Sequence, residues 1–447
     1  MLKHSTPEWK EKVILQSRSE RYTRRLLLFL YKVSCALSLI SCRLNRNPLL
    51  FTPNRRRRNK WLLLIWRFVV VIIYWGVLPA LFFEFQKSPK NYADLFAQLQ
   101  SLSVVLFAVG SFIVQSRSER KILSLLNRYL AIYRRISAFT QSSRMLPTQF
   151  LVLCTLKFFI TLWGCVHEMV ELFMVNHVVI EGRLLAAMFG MYMWLGMLFV
   201  LDMCFMALLI TSFMYKEMGT HIQEMLEHMR PIEEEKDLLG QRMTDYRRMQ
   251  LLCDYSDELD ECAIIYRELY DLTLCFCSAC QWQIFFCVYY NFEVALLLLY
   301  QCFCLYLEKS EMGLVLLIMA GNKMANLVLL LMCADAAVKN SHLPERLPLD
   351  IVCTDIDQRW DASAESFLSQ LKVQHLEIKI LGFFKLDNKF ILIILSAIIS
   401  YLFIMVQFGL TGGFEESELV KQLLNVQSEG NSDVSNKNNS NISNNNK

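Results

Sequence analysis

The sequence predicts an all-α polytopic membrane protein with seven transmembrane helices, its N-terminus cytoplasmic and its C-terminus extracellular. Three observations predict it. Apolar residues make up 54% of the 447 positions, above the roughly 45–50% usual for soluble domains. They gather into recurrent runs of about 20 or more, the length at which a helix crosses the roughly 30 Å hydrocarbon core. The basic residues lie between the runs and fall mostly on one side. Counted for an inside N-terminus, the inner segments hold 36 Lys and Arg and the outer segments 7. Lys and Arg excess marks the cytoplasmic side.

The elements follow in order. Residues 1–60 form a cytoplasmic N-terminus with 15 basic residues. Its first 25 positions are polar and charged, so no cleavable signal peptide is expected. A short apolar segment at about 26–42 carries Lys32 near its middle. It reads as a re-entrant or interfacial helix, with a true first span as the alternative. Arg55, Arg56, Arg57 and Arg58 then abut the first full span and read as an anchor on anionic lipid, not as a nucleic-acid patch. Residues 61–338 contain the first six spans, at about 61–85, 94–115, 149–175, 184–214, 272–307 and 312–338. The outer loops between them are too short for a folded ectodomain, so an extracellular ligand must bind among the helices. The inner loops 116–148 and 215–271 are longer, and the second reads as long helices projecting below the membrane. Residues 339–389 form a last cytoplasmic segment. It is broken by Pro344 and Pro348 and then resumes a helical period from 363 to 388 that feeds the final span, 390–410. The tail 411–447 is rich in Asn and Ser, reads as disordered and extracellular, and carries the sequons at Asn438 and Asn441. Most of the fifteen cysteines lie in apolar runs, where free cysteine packs as a small hydrophobe. No disulfide framework is expected.

Polar residues inside the spans are the candidates for function, because an amide or charge in a bilayer is costly without a partner or water. In the final span Ser400, Ile404, Gln407, Phe408 and Thr411 share one broad face. That stripe suits either a pore or an interhelical hydrogen bond. The outer halves of the other spans offer Trp163, His167, Glu168 and Glu171, then Tyr192 and Trp194, then Tyr290, Asn291 and Glu293, then Asn322 and Lys323. Aromatic walls with a few convergent polar groups suit a small organic ligand. Lys323 paired with Glu293 as structural glue is the competing reading. Asp202 reads as structural, and His167 as packed, not as a metal ligand. The group Cys275, Cys277 and Cys280 reads as packing or acylation near the inner face, not as a zinc site. No metal or other cofactor is implied, and no nucleophile or phosphate-loop motif supports an enzyme.

The C-terminal end resembles the insect gustatory receptors, relatives of the insect odorant receptors. That family ends with Thr-Tyr, five apolar residues and Gln-Phe, and here Ser400-Tyr401 and Gln407-Phe408 stand at that spacing. Upstream, Gly382-Phe383-Phe384-Lys385-Leu386-Asp387 is similar to the family's Gly-to-Asp stretch, and Phe367-Leu368-Ser369-Gln370-Leu371 to the helix before it. Two departures are visible: Ser400 stands for the commoner Thr, and Lys379-Ile380-Leu381 for small residues. The resemblance implies a tetrameric channel, homomeric or mixed with other gustatory receptor subunits, in the plasma membrane of chemosensory neurons. It implies a ligand-gated, non-selective cation pore lined by the last span and an anchor between subunits in the last inner segment. It also implies an outward-facing pocket for a small-molecule tastant, with bitter compounds favoured. Carried onto this chain it makes Ile404, Gln407, Phe408 and Thr411 the gate candidates. Gly382, Asp387, Ser400, Tyr401, Gln407 and Phe408 are the family motif. The alternative is a seven-helix G-protein-coupled receptor. It requires an outside N-terminus, against the charge count, and the Asp/Glu-Arg-Tyr and Asn-Pro signatures of that class are missing from the expected spans.

Overall fold

The computed structural model describes residues 18–36, 42–46, 49–53, 92–139, 148–174, 184–233, 244–307, 312–343 and 358–411, with scattered helical positions between 61 and 76. In chain order the elements are α1 (Arg18–Ala36), β1 (Cys42–Arg46), β2 (Leu49–Pro53), α2 (Tyr92–Phe139), α3 (Thr148–Met174) and α4 (Leu184–Glu233). Then come α5 (Asp245–Leu307), α6 (Met312–Ser341), α7 (Gln358–Val373), β3 (Lys379–Ile380), β4 (Phe384–Lys385) and α8 (Asn388–Thr411). Among the described residues, five helices are long and apolar enough to cross a membrane, and they lie on α3, α4, α5, α6 and α8. Most of the predicted first span, 61–85, and the sequons at Asn438 and Asn441 lie outside the described residues.

The helices do not stop where the apolar runs stop. Helix α2 continues for 48 residues through the predicted boundary at 116, α4 for 50 and α5 for 63. The reason is local. The continuing segments are rich in Glu, Lys, Arg, Leu and Met and lack proline over most of their length, so backbone pairing persists after the lipid-facing composition ends. Helix α5 is the central column, packing against α2, α4, α6, α7 and α8. The core fills from three sides, with Phe205, Leu208, Tyr215 and Ile222 of α4, Leu252, Leu259, Leu269 and Leu272 of α5, and Leu327, Leu330 and Ala334 of α6, all nearly or fully buried. At Gly219 a Cβ would come within 2.9 Å of Leu343, so the missing side chain lets α4 approach the chain just past α6.

Two predicted elements are corrected. The segment expected at 26–42 is instead α1, which begins at Arg18 and ends at Ala36, followed by the antiparallel β1–β2 hairpin with Leu44 opposite Phe51. The Asn127 side chain on α2 pairs with this hairpin like another strand: its carboxamide oxygen accepts from Phe51 N–H at 2.8 Å and its amide donates to Phe51 O at 2.8 Å. The Tyr31 hydroxyl of α1 accepts from Leu44 N–H at 3.0 Å.

The helix expected from 363 to 388 ends at Val373. Beyond it Leu376, Ile378 and Ile380 are buried while His375, Glu377 and Lys379 between them are exposed. That is the period of an extended chain, not of a helix. Strands β3 and β4 pair across a turn closed by Phe383 N–H donating to Ile380 O at 3.0 Å. Its central residues, Leu381 and Gly382, have φ of 51° and 77°. Asp387 then caps α8, its carboxylate accepting from Phe390 N–H at 2.9 Å.

Candidate functional site

Four helices converge on one small cavity. Gly164 of α3, Trp194, Met197, Leu198 and Leu201 of α4, Cys287, Tyr290 and Asn291 of α5, and Asn322, Lys323 and Asn326 of α6 line it. The spacings three and four on α4, α5 and α6 bring each set onto one helical face. Gly164 keeps the wall thin: a Cβ there would lie 3.3 Å from Asn322 Nδ2 and 3.6 Å from the Trp194 ring. The cavity is small, with room for about one water.

The polar groups are ordered among themselves. Trp194 Nε1–H donates to the Tyr290 hydroxyl at 2.9 Å, and Lys323 Nζ donates to the same oxygen at 3.4 Å. The Lys323 ammonium lies 5.1 Å from the centroid of the Trp194 ring, a cation–π contact, and 5.2 Å from that of Tyr290, where it stands at the hydroxyl edge. Asn291 donates to Cys287 O at 2.7 Å, and Asn326 donates to Asn322 O at 3.2 Å. Asn326 also accepts from Lys157 of α3. Lys157 in turn makes a buried ion pair with Asp202 of α4 at 2.9 Å, and the Thr161 hydroxyl donates to Asp202 at 3.0 Å. Asn326 is thus shared between the cavity and a charged cluster beside it.

The predicted pocket residues divide. Tyr290, Asn291, Asn322 and Lys323 meet at the cavity, with Trp194. Trp163 is half exposed and is not among the lining residues. Tyr192 rests edge-on against Trp66 at 6.2 Å. Glu293 accepts from Ser103 of α2 at 2.8 Å. The alternative pairing of Lys323 with Glu293 is not among the ion pairs of the described residues; Lys323 reaches the Trp194 ring and the Tyr290 hydroxyl. The side chains of His167, Glu168 and Glu171 lie outside the described residues, although α3 carries their backbone. Lys157, Asn326, Gly164 and Cys287 join the site without having been singled out. A lysine in an apolar run was the available signal for the first.

On α8, Ile404, Tyr401 and Ser400 are exposed on the single chain, as is Gln407. Tyr401 meets Phe292 of α5 edge-on at 6.2 Å. The side chains of Phe408 and Thr411 lie outside the described residues. Leu392, Ile393, Ile399 and Phe403 extend the exposed apolar surface along the helix. Asn388 at its start donates to Asp335 of α6 at 2.7 Å, tying α8 to α6.

Along its N-terminal half α5 holds α7 and the hairpin. Ser256 and Ser363 share a hydrogen bond of 2.9 Å, and Arg359 pairs with Asp257. The Tyr266 hydroxyl donates to Ser341 O at 3.0 Å and Gln374 O at 3.3 Å, joining the end of α6 to the end of α7.

Comparison with known proteins follows the same outline. A family described as 7tm chemosensory receptor matches residues 27–412. The gustatory receptor for bitter taste 93a of Drosophila melanogaster is 50% identical over 406 residues, covering 90% of this chain and 96% of that one. The putative gustatory receptor 93b of the same organism is 22% identical over 378 residues, covering 83% of this chain and 90% of its own length. Among solved structures, the insect olfactory receptor OR5 from Machilis hrabei shares the fold with a TM-score of 0.56 at 11% identity, covering 87% of this chain and 98% of that one. The same receptor in complex with eugenol gives a TM-score of 0.54 at 12% identity, covering 86% and 99%.

Proposed function

Because this chain belongs to the insect gustatory receptors, within the 7tm chemosensory receptor family, we propose that it is a subunit of a ligand-gated, non-selective cation channel for small-molecule tastants. The observation that carries the channel reading is α8. It is the most apolar of the candidate spans and the least covered by its own chain, and it bears the Ser400-Tyr401 and Gln407-Phe408 motif. A helix so little enclosed needs lipid or further subunits around it, and four copies around a central axis would bury one stripe and line a pore with another. In this arrangement Ile404 and Phe408 form a hydrophobic constriction, with Gln407 and Thr411 beside it. Seven spans, an inside N-terminus and an outside tail in the plasma membrane of chemosensory neurons complete the reading.

The tastant enters the cavity between α3, α4, α5 and α6. A relative named for bitter taste and a fold neighbour solved with the small aromatic molecule eugenol support a small organic ligand, bitter by preference. The cavity as it stands holds little more than a water, so binding requires Trp194, Tyr290 or Lys323 to move. The test is whole-cell recording from cells expressing the full chain, alone and with other gustatory receptor subunits, under a panel of bitter compounds. A ligand-evoked cation current whose selectivity or block changes in Gln407→Ala is the expected result. Surface-expressed chain that passes no cation current with any subunit partner would sink the channel reading.

A further inference from the structure

Helix α2 ends on a motif that neither the pocket nor the pore uses. Its last residues include Arg134-Arg135-Ile136-Ser137, and Ser137 is the only serine or threonine of the 447-residue chain with an arginine three positions before it. We infer that Ser137 is a phosphorylation site for a basophilic serine kinase, and that its phosphate draws Arg135 away from α5 and frees the end of α2. The inference rests on the reading of residues 116–148 as cytoplasmic, the side where ATP and such kinases are found.

Recognition, reach and consequence all point to it. Kinases select their substrates by charge pattern, and an acidic cleft holds a pair of guanidinium groups just before the serine by charge-assisted hydrogen bonds. Arg134 is exposed, Arg135 and Ser137 are partly exposed, and α2 ends at Phe139, two residues beyond Ser137. Helix ends fray, so the last turn opens readily into the extended form that a kinase cleft takes. The Ser137 hydroxyl donates to Arg134 O at 2.9 Å. Arg135 donates to Glu268 of α5 at 2.8 Å and lies 3.8 Å from Glu261, while Ile132 and Ile136 on either side of it are buried.

The step transfers the γ-phosphoryl group of ATP. The bond from the γ-phosphorus to its bridging oxygen breaks, a bond to Ser137 Oγ forms, ADP leaves, and the hydroxyl proton passes to the kinase's catalytic aspartate. The product has lost the donor that Arg134 O accepted. It sets up to about two negative charges at the negative end of a helix, beside Arg134 and Arg135. Partly exposed ion pairs such as that of Arg135 are weak, so a phosphate more highly charged than either carboxylate competes for the guanidinium.

The experiment incubates the purified full-length receptor in lipid nanodiscs, both faces reachable, with ATP, Mg²⁺ and the catalytic subunit of cyclic-AMP-dependent protein kinase. Phosphopeptides are read by mass spectrometry. The expected result is phosphate on Ser137, at a rate lowered about tenfold or more by Arg134→Ala and partly restored by Arg134→Lys. Should Arg134→Ala fail to give monodisperse protein, Arg134→Gln replaces it with the same expectation. Glu268→Gln loosens Arg135 and should raise the rate about threefold. In the phosphorylated receptor, amide hydrogen exchange across 132–139 and 261–268 should run about fivefold faster, with no change in Ser137→Ala treated alike. No phosphate on Ser137 of the purified receptor, or a rate indifferent to Arg134, overturns the inference whatever the orientation. Phosphate with unchanged exchange overturns the release of α2. Phosphate on the purified receptor but none on receptor from intact cells with this kinase activated, together with a tail that carries no glycan, overturns the orientation instead.

Discussion

Lys157 and Asp202 are two formal charges at 3% and 4% exposure inside apolar helices, 2.9 Å apart. Removing one partner leaves a buried charge with its desolvation cost uncompensated, a loss of about 3–5 kcal/mol, whereas replacing both by apolar residues is often close to neutral. Lys157→Met alone should therefore lower the thermal stability of the purified receptor sharply, and Lys157→Met with Asp202→Leu should recover most of it. A double variant as unstable as the single one would show that Thr161 and Asn326, not the pair, set the cost. Gly382 makes a smaller claim. Its φ of 77° lies where a Cβ is strained, so Gly382→Ala should cost about 1 kcal/mol or somewhat more although nothing lies within 4 Å of that Cβ. Hydrogen exchange across 376–386 measures it, and unchanged protection would count against the turn.

The hairpin that this turn closes shows what the sequence could and could not say. The long apolar helices were legible because their composition must match a bilayer. So were Tyr290, Asn291, Asn322 and Lys323, because a polar group in an apolar run stands out against its surroundings. The hairpin was hidden by its neighbours: Phe367, Leu368 and Leu371 set a helical period that masked the alternation of Leu376, Ile378 and Ile380. The signal was there, in the residues of the run His375 to Ile380, but it is only three buried positions long. The Lys157–Asp202–Asn326 cluster was hidden for another reason. Its members come from three helices, and no spacing along one chain announces which helices will meet.

The hairpin also carries a charge device. Bonds from Lys379 and Lys385 hold the Glu377 carboxyl down at about 2, below its ordinary 4.5. A depressed carboxylate contributes stability above its unfolded value and loses it as pH falls through the folded one. The protection that Glu377→Gln removes from residues 376–386 should thus be seen in full near pH 6, shrink below about 4.5 and vanish toward 2. It should also weaken in high salt, because the group is exposed. A difference independent of pH would rule out the ion pairs as its source. At the next element, Asp387→Ala removes the cap of α8 at a cost of about 1 kcal/mol, to be read as fraying of its first turn.

For the chain as a whole, the proposed orientation has a direct test. Glycosidase treatment of receptor from eukaryotic cells should lower its apparent mass, and Asn438→Gln with Asn441→Gln should abolish that shift. A glycan shift that survives the double variant, or a tail reached by antibody only after permeabilisation, would oppose an outside C-terminus. What joins the cavity to α7 is α5. Its 63 residues form one unbroken helix, on the order of 95 Å long at 1.5 Å per residue. The same rod carries Tyr290 at the cavity and Ser256 at the contact with α7, about 50 Å apart. Replacing the exposed Leu274 and Ser278 between them by glycine should soften it, lowering ligand-evoked current while binding at the cavity persists; undiminished current would show that the rod transmits nothing. A stiff rod of that length is a mechanical lever. One degree of tilt imposed at Tyr290 displaces the far contact by about 0.9 Å, so in the proposed pocket a molecule little larger than a benzene ring would do work on a part of the protein that it never approaches.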